Sequence, residues 1–216
     1  MRTASLGPTD DVSAEAQDYD PWERFNERTF DFNHKLDHYV IKPVATGWSK
    51  IAPQPVRNGM RNMLQNVAMP RRFINNLFQL KLKGAVQELV GFVINSTVGV
   101  GGLVDVMREA DLAAPDAEDT GQTLGVYGIG PGPYLVLPFF PPSSLRDTIG
   151  STIDGFLDPV TFFMPFVGGI AKRGFTSIND RSRNLEEFEA VEESVVDLYS
   201  AVRNGYLQRR ERAIRE

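Results

Sequence analysis

Cysteine is absent from all 216 residues, which removes disulfides, thiol nucleophiles and thiolate metal sites together. The absence leaves the compartment open, because a periplasmic protein can do without disulfides. Histidine occurs only as His34 and His38. They stand one helical turn apart, a metal-ligand spacing, yet no third ligand is evident beyond nearby surface acids, and two solvated histidines are the better reading. Catalytic signatures are missing as well: there is no GxSxG elbow, no HExxH, no EF-hand loop and no cysteine–histidine pair. Positive charge is in deficit. A formal charge of −5 supplies no phosphate-neutralising surface of the kind nucleic acid requires. The opening MRTASLGPTD lacks an apolar leader core, so the expectation is a cytoplasmic chain or a mature form with an initiating Met. Met1 to Asp20 carries five acids and one arginine, and residues 1–19 are expected to be a flexible tether.

What the chain does have is a segment without charge. Between Thr120 and Leu145 no side chain is ionisable at the acid or base residues Asp, Glu, Lys or Arg. The stretch is long enough to cross hydrocarbon, but five glycines (121, 125, 128, 130, 132) and five prolines (131, 133, 138, 141, 142) interrupt it. An interior proline costs a helix about 3 kcal/mol and a glycine about 1. A broken apolar backbone has to be buried in protein or line a cavity, since unsatisfied peptide groups in lipid are costly. Pro159–Ala171 is a second uncharged patch, too short to span; re-entrant or interfacial placement and a buried turn both fit it.

Around these segments the periodicity is helical. Asp20-Pro21-Trp22-Glu23 reads as a capping box with proline at N1. The helix that follows puts Phe25, Phe32, Leu36 and Tyr39 on a wide aromatic face, which suits either a core or a membrane interface. Prolines at 43, 53, 55 and 70 predict short helices over about 42–51, 55–67 and from 70 onward. A longer amphipathic helix carries Leu82, Val86, Leu89, Val90, Val93 and Ile94. Gly99, Gly101 and Gly102 match no phosphate-loop fingerprint and read as a break between helices. Ser144 is expected to cap a helix with Asp147 at N3, and Tyr134–Phe140 is the extended candidate. From Lys172 to Arg215 the spacing predicts one long helix with a basic end. The fold class is therefore mostly α, a single domain of short, angled amphipathic helices.

Several motifs follow one another along the chain: Asp20-Pro21-Trp22-Glu23-Arg24-Phe25-Asn26, Phe30-Asp31-Phe32-Asn33, Pro53-Gln54-Pro55-Val56-Arg57-Asn58-Gly59 and Asn95-Ser96-Thr97. Gly121-Gln122-Thr123-Leu124-Gly125, Gly132-Pro133-Tyr134, Leu145-Arg146-Asp147 and Tyr206-Leu207-Gln208-Arg209-Arg210 complete the set. In this order they resemble the MlaA (VacJ) family of outer-membrane lipoproteins, over about 20–212, with 213–216 as a C-terminal end.

The resemblance implies a helical ring around a central amphipathic channel, with a long C-terminal helix, on the periplasmic-leaflet side of a Gram-negative outer membrane. It implies retrograde phospholipid transport that maintains outer-membrane asymmetry, a trimeric porin as neighbour, the periplasmic lipid carrier MlaC as recipient, and no cofactor. A lipid anchor is expected, although the family's lipobox cysteine is absent from these residues. On this reading Gly128, Gly130, Pro131, Gly132, Pro133 and Tyr134 form a hinge beside the lumen. Trp22, Phe25, Phe32, Leu137, Phe139, Phe140, Phe162, Phe163 and Phe166 are expected at the membrane interface. Two alternatives stay open: a porin-associated scaffold without transport, and a lipid-modifying enzyme using Ser143 or Ser144 with a histidine.

Overall fold

The computed structural model describes residues 20–112, 117–164 and 167–216. The expected tether therefore lies outside the described residues, as does Phe166. The chain folds as one mostly α-helical domain with a single two-stranded ribbon.

Helix α1 (Glu23–Leu36) runs through a π-helical turn (Asp37–Ile41) into α2 (Lys42–Ile51). Then come α3 (Gln54–Val67), α4 (Met69–Phe78), α5 (Leu82–Thr97) and the short α6 (Val106–Glu109). Proline occupies the second position of α3 and α4, where its missing N–H has no intrahelical partner to lose, while Pro43 sits just after the π-helical turn that leads into α2. These starts follow the sequence expectation within a residue or two.

Two expectations need correction. Asp20 and Glu23 do not form a capping box; α1 begins at Glu23. Asp20 instead accepts from the Trp22 N–H and Asn26 Nδ2 nearby and from the distant Tyr199 hydroxyl, so its carboxylate ties the helix start to the last helix of the chain. The predicted single helix from Lys172 is three: α10 (Val167–Arg183), α11 (Leu185–Ser194) and α12 (Leu198–Arg215). Apolar spacing continues across both breaks, but the chain turns at Asn184 and again at Val195, and Asp197 caps α12 by accepting from the Ser200 N–H.

The uncharged segment is not one element. It comprises α7 (Thr120–Val126), a loop, β1 (Tyr134–Leu135), a second loop, and β2 (Ser143–Ser144) leading into α8 (Leu145–Leu157). Asp119 and Gln122 make a full capping box at the start of α7. Ser144 caps α8 by accepting from the Asp147 N–H at 3.2 Å. β1 pairs antiparallel with β2, Tyr134 opposite Ser144. Helix α9 (Pro159–Phe163) is capped by Asp158.

Helices α3, α4, α8, α9 and α10 pack each on the next, and α10 returns to α3, so the contacts close a circuit. α5 lies on α4, α2 on α10, and α7 between α8 and α12. α7 and α8 cross at two glycines: a Cβ on Gly150 would lie 2.4 Å from the Gly121 backbone nitrogen. The apolar core is small, formed by Tyr134, Val136, Tyr199 and Tyr206 with Phe30 and Leu207 against it.

Candidate functional site

Burial in this protein is inverted. Among the described residues ten apolar side chains are buried, against twenty polar or charged ones. Large apolar side chains are meanwhile exposed on almost every element. A water-soluble domain does the opposite with its charged groups, which are almost never fully buried unless paired.

The buried polar groups are indeed paired. Arg210 joins Asp119 at 2.7 Å and Asp147 at 2.7 Å. Asp147 also accepts from Arg146 and from the Tyr206 hydroxyl. Burial by itself would raise Asp147, but the hydrogen bonds from Arg210, Tyr206 and Arg146 outweigh it and hold the carboxyl below its ordinary value. Tyr206 is pushed up to about 12, by burial first and then by its bond to Asp147. Beside this group Asp154 accepts from Thr120 Oγ1 at 2.6 Å and from Asn75 Nδ2 at 3.1 Å. Here burial prevails and the carboxyl is raised. Glu118 takes Gln79 and Lys81, and Arg72 forks onto Glu88. The interior is thus held by polar contacts whose members pair with one another.

The glycine–proline loop is tied at both ends and open around Gly130. Arg146 and Leu145 backbone N–H groups donate to the Pro131 and Pro133 carbonyls at 3.1 and 3.0 Å, and Arg146 Nη1 reaches the Ile129 carbonyl at 3.1 Å. Gly128 and Gly132 adopt positive φ, 85° and 66°, a conformation that favours glycine. Gly130 has nothing within 4 Å of where a Cβ would stand. Tyr134 does not share the loop's exposure; it packs in the core against Tyr199 and Tyr206.

Beyond Tyr134 the backbone is held by two asparagines. Asn26 donates to the Tyr134 carbonyl and accepts from the Val136 N–H, each at 2.9 Å. Asn33, seven residues on, donates to the Leu137 and Phe140 carbonyls and accepts from the Phe139 N–H at 2.8 Å. Each amide imitates a neighbouring strand. Sequence reasoning passed over both. Their signal was two asparagines at a seven-residue interval inside a helix, where asparagine is a poor helix former.

Of the aromatic set, Trp22, Phe25, Phe32, Phe139, Phe140, Phe162 and Phe163 are exposed and Leu137 is half-buried. Phe32 meets Phe139 edge-on at 5.3 Å, and Arg173 covers the Phe140 ring at 4.3 Å. The structure adds a flank that the sequence reading assigned no role: Leu82, Val86, Leu89, Val90 and Val93 of α5 are all exposed. Ser144 spends its hydroxyl on the α8 cap, and Ser143 bonds to Ser144 and Thr148. His34 contacts Glu192 at 3.2 Å, and His38 lies edge-on to Tyr39. Neither histidine is paired with a serine.

These features define a class: a small helical protein with polar groups inside, apolar groups outside, and no described helix long and apolar enough to cross a membrane. The comparisons are more specific. The profile of the MlaA lipoprotein family matches residues 18–213. The intermembrane phospholipid transport system lipoprotein MlaA of Escherichia coli is 35% identical over 193 residues, covering 88% of this chain and 76% of that protein. Its Haemophilus influenzae counterpart of the same name is 32% identical over 195 residues, 88% and 76% of the two chains. A solved chain from work on the structural basis for maintenance of bacterial outer-membrane lipid asymmetry superposes with a TM-score of 0.81 at 33% identity, covering 91% of this chain and 99% of that one. The chain belongs to the MlaA lipoprotein family.

Proposed function

We propose that this protein carries out retrograde phospholipid transport. It takes phospholipid misplaced in the outer leaflet of the outer membrane, moves it through an amphipathic channel within the helix circuit, and passes it to the periplasmic carrier MlaC. It sits on the periplasmic-leaflet side beside a trimeric porin and maintains lipid asymmetry. The observation that carries this reading is the inverted burial around a closed circuit of helices. Moving a lipid between leaflets means bringing a charged headgroup past hydrocarbon, which is costly without a polar path. Apolar flanks such as that of α5 and the exposed aromatics suit acyl chains, while the charged interior suits a headgroup. Transport of this kind makes and breaks no covalent bond, so the protein needs no catalytic group.

In this reading residues 128–133 are the hinge beside the channel. Gly128 and Gly132 hold angles other residues avoid, and the bonds from Arg146 to Ile129 and Pro131 flank Gly130. Gly130→Val is the clean test, because its surroundings are open, whereas a side chain at Gly132 meets both its positive φ and Leu145 at 3.3 Å. Gly130→Val is expected to lower lipid flux with the melting temperature unchanged; unaltered flux makes the loop a connector.

The main test is complementation. Expressed in a Gram-negative strain lacking its own family member, the chain should restore low outer-leaflet phospholipid, measured by surface labelling of amine headgroups. It should be extracted from native membranes only with detergent and should bring porin and phospholipid with it. A lipid-free monomer extracted without detergent would sink the proposal, and restored asymmetry with a chemically sealed channel would favour the scaffold instead.

A further inference from the structure

One seam of the helix circuit gathers positive charge, against the balance of a chain whose formal charge is −5. Arg57 and Arg61 stand one turn apart on α3, Arg183 ends α10, and Arg108 comes from α6. Arg61, Arg108 and Arg57 all lie close enough to act electrostatically on Arg183, and the carboxylate among them is Asp180. Four guanidiniums and Asp180 thus meet at this seam.

The geometry of that one acid is unusual. Asp180 Oδ1 lies 3.6 Å from Arg183 Nη1 and 3.8 Å from Arg61 Nε, beyond hydrogen-bond length on both sides. The same oxygen is buried and accepts no hydrogen bond. Two arginines thus face one point without closing on the group that occupies it.

Neutral acceptors hold the arginines instead. Arg183 Nε donates to Asn58 Oδ1 at 2.7 Å. Arg57 donates to the Ala52 carbonyl at 3.1 Å and to the Ser182 carbonyl. The seam also carries a neutral contact, Asn179 to the Arg57 carbonyl at 2.9 Å. Burial first, then Arg61, Arg108 and Arg57, push the Arg183 guanidinium down from its ordinary value against the pull of Asp180. Crowded cations of this kind are relieved by an anion, and planar guanidinium forks match the oxygens of a phosphate.

We propose that Arg61 and Arg183, backed by Arg57 and Arg108, form a phosphate-ester site at the α3–α10 seam, with Asp180 as an internal counter-ion that a ligand phosphate displaces. The Asp180 side chain is 41% exposed, so it has room to swing out. In the transport reading, on which this inference rests, the ligand is the phosphodiester of a lipid headgroup; inorganic phosphate shares the chemistry.

The full chain in non-ionic detergent micelles can be titrated calorimetrically with dihexanoyl phosphatidylglycerol, with inorganic phosphate, and with dihexanoylglycerol, which has no phosphate. The phospholipid should bind and the phosphate-free lipid should not. Arg61→Gln and Arg183→Gln should each weaken binding roughly tenfold, the scale of one charged hydrogen bond. Asp180→Asn should tighten it by about as much, because the competing carboxylate is gone. That opposite sign keeps the test decisive if either arginine variant fails to fold. Equal binding of the phosphate-free lipid, or phospholipid affinity indifferent to all three substitutions, overturns the site. Substitution-sensitive binding of inorganic phosphate alone retains the phosphate site and overturns the headgroup as its ligand. Transport is measured independently by complementation, so a chain that complements while its affinity ignores Arg61, Arg183 and Asp180 refutes this inference and spares the broader one.

Discussion

Asn26→Ala should be among the most destabilising single changes in this protein, although it removes a small polar side chain from a helix. Asn26 is 0% exposed, and of its three partners the two backbone groups are out of reach of water: Tyr134 is 3% exposed and Val136 is 0%. Truncation leaves the Tyr134 carbonyl and the Val136 N–H without hydrogen bonds, at about 1–3 kcal/mol for each buried orphan. The sum is roughly 4 kcal/mol. For a chain of this length about 2–4 °C accompanies each kcal/mol, so the expected fall in Tm is about 8–16 °C. Asn33→Ala is the control. It also removes three bonds to backbone, at Leu137, Phe139 and Phe140, but that stretch is open and solvent replaces the lost partners. Its cost should be no more than about 1 kcal/mol. The assay is thermal melting of the detergent-solubilised chain by circular dichroism at fixed pH. Equal shifts for the two variants, or a shift below about 3 °C for Asn26→Ala, would refute the view that burial of the freed groups sets the cost.

Three further outcomes follow from the same reasoning. Gly150→Ala sets a methyl 2.4 Å from the Gly121 nitrogen and should cost about 1–3 kcal/mol by forcing α7 from α8, whereas Gly205→Ala, with nothing within 4 Å, should raise stability by up to about 1 kcal/mol; chemical denaturation distinguishes them. Asp147 and Asp154 respond to acid in opposite directions. Asp147, lowered in the fold, contributes stability above its unfolded value of about 3.9 that is lost as pH falls through its folded value. Asp154, raised in the fold, favours folding when protonated, and that contribution disappears as pH rises through its folded value. Asp147→Asn should therefore destabilise the protein near neutral pH and lose that effect at acid pH, as read from Tm between pH 3 and 7. Val86→Glu and Val90→Glu on the exposed flank of α5 should lower the fraction bound to phospholipid vesicles while changing Tm in detergent by less than about 2 °C; unchanged partitioning would remove α5 from the membrane-facing surface.

Much of the helical layout was legible because its punctuation is local. Proline at the starts of α2, α3 and α4, and serine with aspartate at the start of α8, act through backbone groups within one turn. The same local logic misled where distant partners intervened. Asp20 has the composition of a cap but spends its carboxylate on Asn26 and on Tyr199, 179 residues away. The continuous apolar spacing from Lys172 concealed the breaks at Asn184 and Val195, because periodicity does not register a change in helix direction.

By itself, the sequence determined that this protein is helical, that its uncharged stretch is not an ordinary spanning helix, and that residues 120–145 must be sheltered: proline, glycine and the lack of charge settle these within a few residues. Only tertiary structure decided what shelters them. Asn26 meets Tyr134 across 108 residues, Arg210 meets Asp147 across 63, and Arg183 meets Asn58 across 125. Such pairs leave no periodic trace, since hydrogen bonds and charges join any two helices that the fold brings within about 3 Å. Which face of each amphipathic helix points inward was likewise a tertiary choice. In water the apolar face turns in; here the polar faces do, because polar contacts hold the interior and the apolar faces are left to a surrounding that accepts them.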